Sequence, residues 1–470
     1  MYLDDVGDLA RVTRTSRLLY YMMLPRLYEH VTLHSYSEIR YIDGRPEGYG
    51  NGSPFAMGLN TLISRNFGNY IQSFRVRGDW REHDADDYKQ GRVPDNSMVL
   101  QIVLRAALDK MKNLKVFAWE LNTPPLQTVY QGLVDKTSLT SLTIRCQIRR
   151  TPRPTTIISP LPNLTTLVVY NIDPLCYPDD ISLLVLGSKK LQNLKLHWSP
   201  RMRAAGEESV NLMSIFGRCV AAKYSIQVKR MAIYNLYTRF SSDDLTNVID
   251  NEYTTEATVI NSMGASDAVT VFTDASWRVH GTPQTPPNLK MLRTDHVDKE
   301  GVRVLSTIKG MERIYNVSRR NKDSSRADST ATTPTSPPTN TTSTPYTPAS
   351  TSPNNMPITI AEKECRSLGS GYIAAIQTNH RSIRHLLLSD LWVLSDETLF
   401  SLSKALPDLE QFGFACAFPS LETLRQIVAF MPKLTALRIL INPSNEVVTM
   451  NFDVTDMDLH TFAIATDIGI

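Results

Sequence analysis

Residues 161–169 read LPNLTTLVV, and residues 111–119, 406–414 and 431–439 read MKNLKVFAW, LPDLEQFGF and MPKLTALRI. All four place apolar residues at the first, fourth, seventh and ninth positions, for example Leu161, Leu164, Leu167 and Val169. Shorter copies run through Ile71-Phe74-Val76, Leu139-Leu142-Ile144, Leu191-Leu194-Leu196, Leu289-Leu292, Met311-Ile314 and Ile383-Leu386-Leu388.

The spacing between copies is regular. From Leu114 to Leu139 is 25 residues, then 25 to Leu164 and 27 to Leu191; from Ile383 to Leu409 is 26, then 25 to Leu434. Such periods belong to leucine-rich repeats, in which a short half-buried strand is followed by a returning helix. Residues 179–186, 397–406 and 421–431 read as returning helices. Each unit leaves an apolar edge that only its neighbour covers, so the expected fold is an α/β leucine-rich-repeat solenoid, a horseshoe of roughly a dozen units.

The chain has 470 residues, 42% hydrophobic and 21% charged, with a formal net charge of +3. That balance asks for neither a nucleic acid nor an anionic membrane as partner. Cys146, Cys176, Cys219, Cys365 and Cys416 form no C-x-x-C pair, which reads as reduced thiols in the cytoplasm or nucleus. With Asp4, Asp5 and Asp8 and no apolar core at the start, no signal peptide is expected, and no apolar run is long enough to cross a bilayer.

Three stretches interrupt the array. Between 191 and 289 the signature fades, with Val228-Met231-Ile233 and Val269-Val271 as candidate strands. Residues 77–97 read as an inserted loop. Residues 321–357 are a Ser/Thr/Pro tract with almost no apolar side chains, expected to be disordered. Removing it leaves one slightly long repeat with a helix near 360–378, so it reads as an insertion inside a repeat. The expected organisation is an N-terminal module at 1–33, solenoid at 34–320, the tract at 321–357 and solenoid again at 358–470.

The N-terminal module reads MYLDDVGDLARVTRTSRLLYYMMLPRLYEHVTL. Leu9, Val12, Leu19, Met22 and Met23 fall at helical spacings, Ser16 suits the N-cap of a second helix, and Pro25 is expected to end or kink it. Tyr28, Val31 and Leu33 then suit a first strand. The pieces DLARV, TSRLL and PRLYEHV resemble the second half of the F-box of fungal F-box/leucine-rich-repeat proteins. The Leu-Pro-bearing first helix of that family would lie before Met1, so an N-terminally truncated F-box is expected. The resemblance implies docking on a Skp-type adaptor through Leu9, Val12, Leu18, Leu19, Met22, Pro25 and Leu27. A helical cap shielding the end of the array is the plainer alternative.

No phosphate-binding loop, zinc-protease motif or nucleophile elbow is present. Neither a cofactor nor a metal site is expected, and no enzyme. His83, Asp84, Asp86 and Asp87 lack calcium-loop spacing and read as a solvated charge run. The glycines around Gly48 and Gly369-Ser370-Gly371 read as flexible loops. The informative residues alternate with the buried ones along each strand and so line the concave face. They are Arg75, Arg77, Arg145, Tyr170, Lys195, His197, Arg230, Tyr234 and Arg293, followed by the milder His385, Ser389, Gln411, Gly413, Ala415 and Arg438. Arginine on a rigid platform suits carboxylate or phosphate, so an acidic or phosphorylated partner segment is one reading and charge for solubility the other. Thr333, Ser336, Thr344, Thr347 and Ser352 each precede proline and are candidate sites for a proline-directed kinase. A phospho-switch and a neutral spacer both remain open for that tract.

The resemblance thus implies a non-catalytic substrate-recognition subunit of a Skp–cullin–F-box ubiquitin ligase, with a protein substrate on the concave face. The alternative is a leucine-rich-repeat interaction scaffold with no ligase association.

Overall fold

The computed structural model describes residues 5–36, 38–42, 44–46, 53–80, 92–145, 158–172, 181–199, 210–211, 213–236, 238–239, 248–260, 286–295, 297, 299–317, 360–416 and 421–440. The chain divides into two compact α/β units, Met1–Val259 with Asp274–Leu289 and Ile260–Thr273 with Lys290–Ile470. The boundary falls inside the stretch expected as the first solenoid part.

The first unit opens with helices α1 (Val6–Val12) and α2 (Arg17–Leu27), strand β1 (His30–Ser35) and a small antiparallel hairpin, β2 (Tyr41–Ile42) with β3 (Arg45–Pro46). There follow α3 (Pro54–Ser64), β4 (Ser73–Gly78), α4 (Asp95–Lys110), β5 (Val116–Leu121), α5 (Gln127–Val134), β6 (Ser141–Arg145), β7 (Thr166–Ile172), α6 (Ile181–Gly187) and β8 (Asn193–Trp198). The unit closes with β9 (Val210–Asn211), α7 (Met213–Ala221), β10 (Arg230–Tyr234), β11 (Thr238–Arg239) and β12 (Glu256–Ile260). Its main sheet runs β1-β4-β5-β6-β7-β8-β10-β12, each strand beside the next in sequence save for the short β2, β3, β9 and β11.

The repeat spacing sets the register. Phe74, Phe117, Leu142, Leu167 and Leu194 stand opposite one another, as do Val76, Trp119, Ile144, Val169 and Leu196, and all are buried. They meet Leu59, Leu104, Leu108, Val129, Leu133, Ile181 and Leu184 from the helices in one core. Strand entry is clamped the same way each time. The amides of Lys115 and Val116 donate to the carbonyl of Gln72, those of Thr140 and Ser141 to Lys115, those of Thr165 and Thr166 to Thr140, and those of Gln192 and Asn193 to Thr165. The hydroxyls of Thr140 and Thr165 donate to the same carbonyls at 3.2 and 3.0 Å. At each of these junctions the entry amides are satisfied by the preceding repeat, which links neighbouring units of this array.

The second unit contains β13 (Met291–Thr294), α8 (Lys299–Thr307), β14 (Arg313–Asn316), α9 (Ile360–Asn379), β15 (His385–Leu387), β16 (Val393–Leu394), α10 (Asp396–Ala405), β17 (Gln411–Cys416), α11 (Leu421–Phe430) and β18 (Ala436–Ile439). Strands β13-β14-β15-β17-β18 are parallel neighbours, and β16 also pairs with β17. Arg313 on β14 stands opposite His385 on β15, so the strands before and after the Ser/Thr/Pro tract are adjacent. Helix α9 lies between these two strands in sequence. The α/β architecture with one parallel strand per repeat is compatible with a leucine-rich-repeat array.

Several local expectations change. Helix α2 runs through Pro25 to Leu27. Proline sits two residues before the last one, Leu27, where one lost hydrogen bond is tolerated while buried Met23 and Leu24 anchor the turn before it. The stretch expected as a loop after β4 ends by Asp95, because α4 begins there. Gly369 and Gly371 lie inside α9 rather than in a loop, and at 369 glycine makes room for Trp392, whose Cδ1 would stand 2.8 Å from a Cβ there. Val228-Met231-Ile233 leads into β10, while β12 carries no leucine signature and escapes the pattern. Val269-Val271, residues 81–91 with His83, Asp84, Asp86 and Asp87, and the glycines near Gly48 lie outside the described residues.

Candidate partner-binding face

Helices cover one face of the first unit's sheet, and the strand residues between the buried ones form the other. Register aligns them in rows. One row passes from Arg75 through Ala118, Thr143 and Val168 to Lys195; the next passes from His34 through Arg77, Glu120 and Arg145 to Tyr170. Beyond Tyr170 the second row continues with His197, which pairs with Tyr234.

The step from Tyr170 to His197 depends on an irregularity. Strand β7 carries an extra residue between Val169 and Ile172, and Asn171 takes a positive φ of 55°. Asparagine is among the few residues that enter that region readily. Tyr170 and Asn171 both face outward, half-buried, and Ile172 turns back into the core opposite Trp198. Bulges re-aim side chains in this way.

The result is an aromatic cluster. The Tyr170 and His197 rings lie 5.9 Å apart at 69°, and the His197 and Tyr234 rings 5.9 Å apart at 64°, both edge-on. Lys195 leans over them with its Nζ 5.3 Å from the Tyr170 ring centre and 4.8 Å from that of Tyr234. Cation–π attraction holds the ammonium there. Burial, and then the nearby Lys195 charge, hold the His197 pKa below its ordinary value. The Asn235 amide nitrogen lies 3.4 Å from His197 Nε2, and the buried Nδ1 has no hydrogen-bond partner among the described residues.

The cations of this face differ in their partners. Arg75 Nε lies 3.9 Å from Glu120, and Arg230 Nε lies 3.1 Å from Glu256. Among the described residues Arg145 donates only to the backbone carbonyl of Glu120, at 3.4 Å. Among the described residues Arg77, Arg145 and Lys195 have no carboxylate within 4.0 Å. Sequence alternation thus names the residues that the structure assembles, but not which charges are already paired.

Arg293 belongs to the second unit, exposed and opposite Tyr315 in register. There Tyr315 Oη and His385 Nδ1 are 2.7 Å apart, and His385 Nε2 is 3.6 Å from Glu410. Neither Tyr315 nor Glu410 stands out in the sequence, because neither lies at a distinctive spacing. Ser389, Gly413 and Ala415 are buried and do not line an open face: β16 covers the end of β17, and Leu387 Cδ1 sits where a Cβ on Gly413 would go.

The seven residues implied for adaptor docking are not equivalent. Leu9 is buried, Val12, Leu19 and Leu27 are half-buried, and Leu18, Met22 and Pro25 are exposed. Ser16 caps α2 as expected, accepting from the Leu19 amide at 3.1 Å. An open cleft of about 710 Å³ lies where α2 meets the strand-entry turns, lined by Pro25, Arg26, Glu29, Tyr70, Asn113 and Lys115 among others. Thr333, Ser336, Thr344, Thr347 and Ser352 lie outside the described residues. Among the described residues no cluster of three metal-binding side chains occurs, and no helix is long and apolar enough to cross a membrane.

No family model and no curated protein matches the chain. Among solved structures, a leucine-rich-repeat protein of Leptospira interrogans aligns with 78% of this chain and 88% of its own, at 12% identity and a TM-score of 0.23.

Proposed function

We propose that this chain is a non-catalytic recognition subunit of a Skp–cullin–F-box type ubiquitin ligase. In this reading its helix pair docks on a Skp-type adaptor, and its outward strand face holds a protein substrate as part of a leucine-rich-repeat solenoid. The observation that carries it is the two-sidedness of the helix pair. Met23 and Leu24 of α2 are buried, while Leu18, Tyr21 and Met22, with Val6 of α1, are between 57% and 70% exposed. Positions 18, 21 and 22 share one side of a helix, and apolar side chains left in water at that spacing mark a docking surface. Holding the substrate beside a ligase raises its local concentration without chemistry on this chain. Such a subunit works in the cytoplasm or nucleus.

A second reading, an interaction scaffold without a ligase, is favoured by buried Leu9, which is withdrawn from any docking surface. Co-expression with a Skp-type adaptor separates the two. Capture by the full chain that is lost in a Leu18→Asp/Met22→Asp variant supports the ligase reading. No capture by folded, monodisperse full chain removes it and leaves the scaffold.

A further inference from the structure

The outward face of the first unit carries an unusual concentration of unanswered hydrogen-bond donors. Lys195 is ordered by two π faces rather than by a carboxylate, so its charge is fixed in place yet not neutralised. The hydroxyls of Tyr170 and Tyr234 have no hydrogen-bond partner among the described residues. The His197 ring stands edge-on to both tyrosines, and its buried Nδ1 has no hydrogen-bond partner among the described residues. Arg145 stands opposite Tyr170 and, among the described residues, bonds only to a backbone carbonyl. No carboxylate lies within ion-pairing distance of Lys195 or Arg145 among the described residues, so the cluster is rich in donors and lacks anionic acceptors.

The placement of the cations adds a ruler. Arg77 is on β4, Arg145 on β6, and the Lys195 ammonium lies by His197 on β8, each two strands from the last. Neighbouring strands are about 4.8 Å apart, so the three charges recur at about 10 Å. A polyproline II segment advances about 3.1 Å per residue with three residues per turn, so positions three apart share one face and lie about 9 Å apart.

We propose that this face binds an extended segment of a protein partner through oxyanions spaced three residues apart, carboxylate or phosphate, with the Tyr170–Lys195–His197–Tyr234 cluster and Arg145 as the principal seat. The proposal rests on the recognition-subunit reading for the identity of the partner as a protein. Lys195 and Arg145 supply charge, the phenol hydroxyls supply directed donors, and the His197 ring, edge-on to both tyrosines, holds them in place. A segment crossing the strands offers its acidic positions to successive cations while its intervening side chains point to solvent. Phosphorylation of serine or threonine at those positions would strengthen the same contacts, since a phosphate carries nearly two charges and three acceptor oxygens.

Fluorescence anisotropy with four labelled decapeptides tests this on the full chain. All share a Gly/Ser/Thr background and carry Glu at positions 2, 5 and 8, phosphoserine at 2, 5 and 8, Glu at 2, 3 and 4, or Gln at 2, 5 and 8. The spaced acidic peptides are expected to bind at least about tenfold tighter than the Gln peptide, the scale of one charge-assisted hydrogen bond. They should also bind tighter than the contiguous Glu peptide. Lys195→Glu and Arg145→Glu should abolish the preference, and Arg381→Glu, at an exposed turn away from the strands, should leave it unchanged. Tyr170→Phe and Tyr234→Phe, which keep the rings and the fold, should weaken binding several-fold. A phosphoserine peptide far above the Glu peptide assigns a phosphorylated partner, and equal binding assigns a constitutively acidic one. Equal affinity for the Gln and spaced acidic peptides, or indifference to Lys195→Glu, overturns the anion seat. The wider reading fails separately: Thr143→Trp obstructs the same face without changing charge, so it blocks capture of a physiological protein partner whether or not anions are preferred.

Discussion

The indole nitrogen of Trp392 donates a 2.8 Å hydrogen bond to the carbonyl of Cys365, 27 residues earlier, inside the second unit. Trp392 is 5% exposed, its ring lies 4.9 Å from that of Tyr372, and Gly369 leaves the space its edge fills. The contact ties the loop after β15 to the long helix α9. Trp392→Ala should lower the stability of the second unit by about 3–5 kcal/mol, the range for emptying a large aromatic site. Gly369→Ala should destabilise as well, although alanine is the better helix former, because its Cβ meets the indole. Urea unfolding followed by circular dichroism reads both, and an unchanged midpoint for Trp392→Ala would refute the tie.

A buried polar network does similar work in the first unit. Gln101 on α4 donates from Nε2 to the Pro124 carbonyl at 2.9 Å and accepts the Leu126 amide on Oε1 at 3.0 Å. Trp119 Nε1 donates to the Thr123 carbonyl at 2.7 Å, and the Thr123 and Ser97 hydroxyls are 3.1 Å apart. Together they hold the turn after β5. Gln101→Leu keeps much of the volume but strands an amide and a carbonyl, so a loss of about 1–3 kcal/mol is expected. Thermal unfolding of the variant beside the parent chain measures it.

These two networks also show where sequence reading ends. The strands announce themselves because leucine-type spacing at 25 to 27 residues is imposed by stacking, and Leu142 or Leu167 has only one place to go. Helix α9 is similarly legible from its pattern despite the glycines. Gln101 and Trp392 are not, because their roles depend on backbone groups brought near by the fold, which no spacing encodes. The outward face is intermediate. Alternation names Tyr170, Lys195, His197 and Tyr234, but their convergence needs the extra residue in β7, and the pairing of Arg230 needs Glu256 on a strand without a signature. At the N-terminus, periodicity finds the helices yet does not separate buried Leu9 from exposed Leu18 and Met22.

His380 gives the second unit an acid limit. It is fully buried, lies with Nε2 2.9 Å from the Leu305 carbonyl, and accepts the Met311 amide on Nδ1 at 3.4 Å. Burial lowers its pKa, opposed in part by the Leu305 carbonyl. The folded state therefore binds fewer protons than the unfolded state below the ordinary histidine value of about 6.5. Stability contributed by neutral His380 should be complete above that pH and decline as pH falls through it, levelling only below the lowered folded value. Urea midpoints at several pH values from 8 to 5 should show the decline, and His380→Gln should show less of it.

Two thiols give the opposite dependence at alkaline pH. Burial pushes Cys219 up to about 11, against a small opposing effect of Lys189, and burial with Asp396 pushes Cys416 up to about 12. Both should resist iodoacetamide at pH 8 in the native chain and react once urea is added, because the thiolate is the reactive form. Above the ordinary thiol value of about 8.5 the unfolded state ionises first, so stability should fall as pH rises toward the folded values. Peptide mapping by mass spectrometry assigns the modified cysteines. Rapid native labelling of Cys219 would contradict its burial.

The extra residue in β7 makes one joint of the array non-interchangeable. From β1 to β7, and again from β8 to β10, adjoining strands match residue for residue, so a whole repeat there could be duplicated, deleted or exchanged while preserving inside and outside. At β7 a transplanted unit of ordinary length would arrive one residue short, and a slip of one residue turns every following side chain to the opposite face. Ile172 would then meet water, and Tyr170 would lose its place beside His197. Repeat shuffling, whether by recombination in a genome or by design at the bench, is therefore free on either side of this joint and must carry β7 and β8 together as one inherited piece.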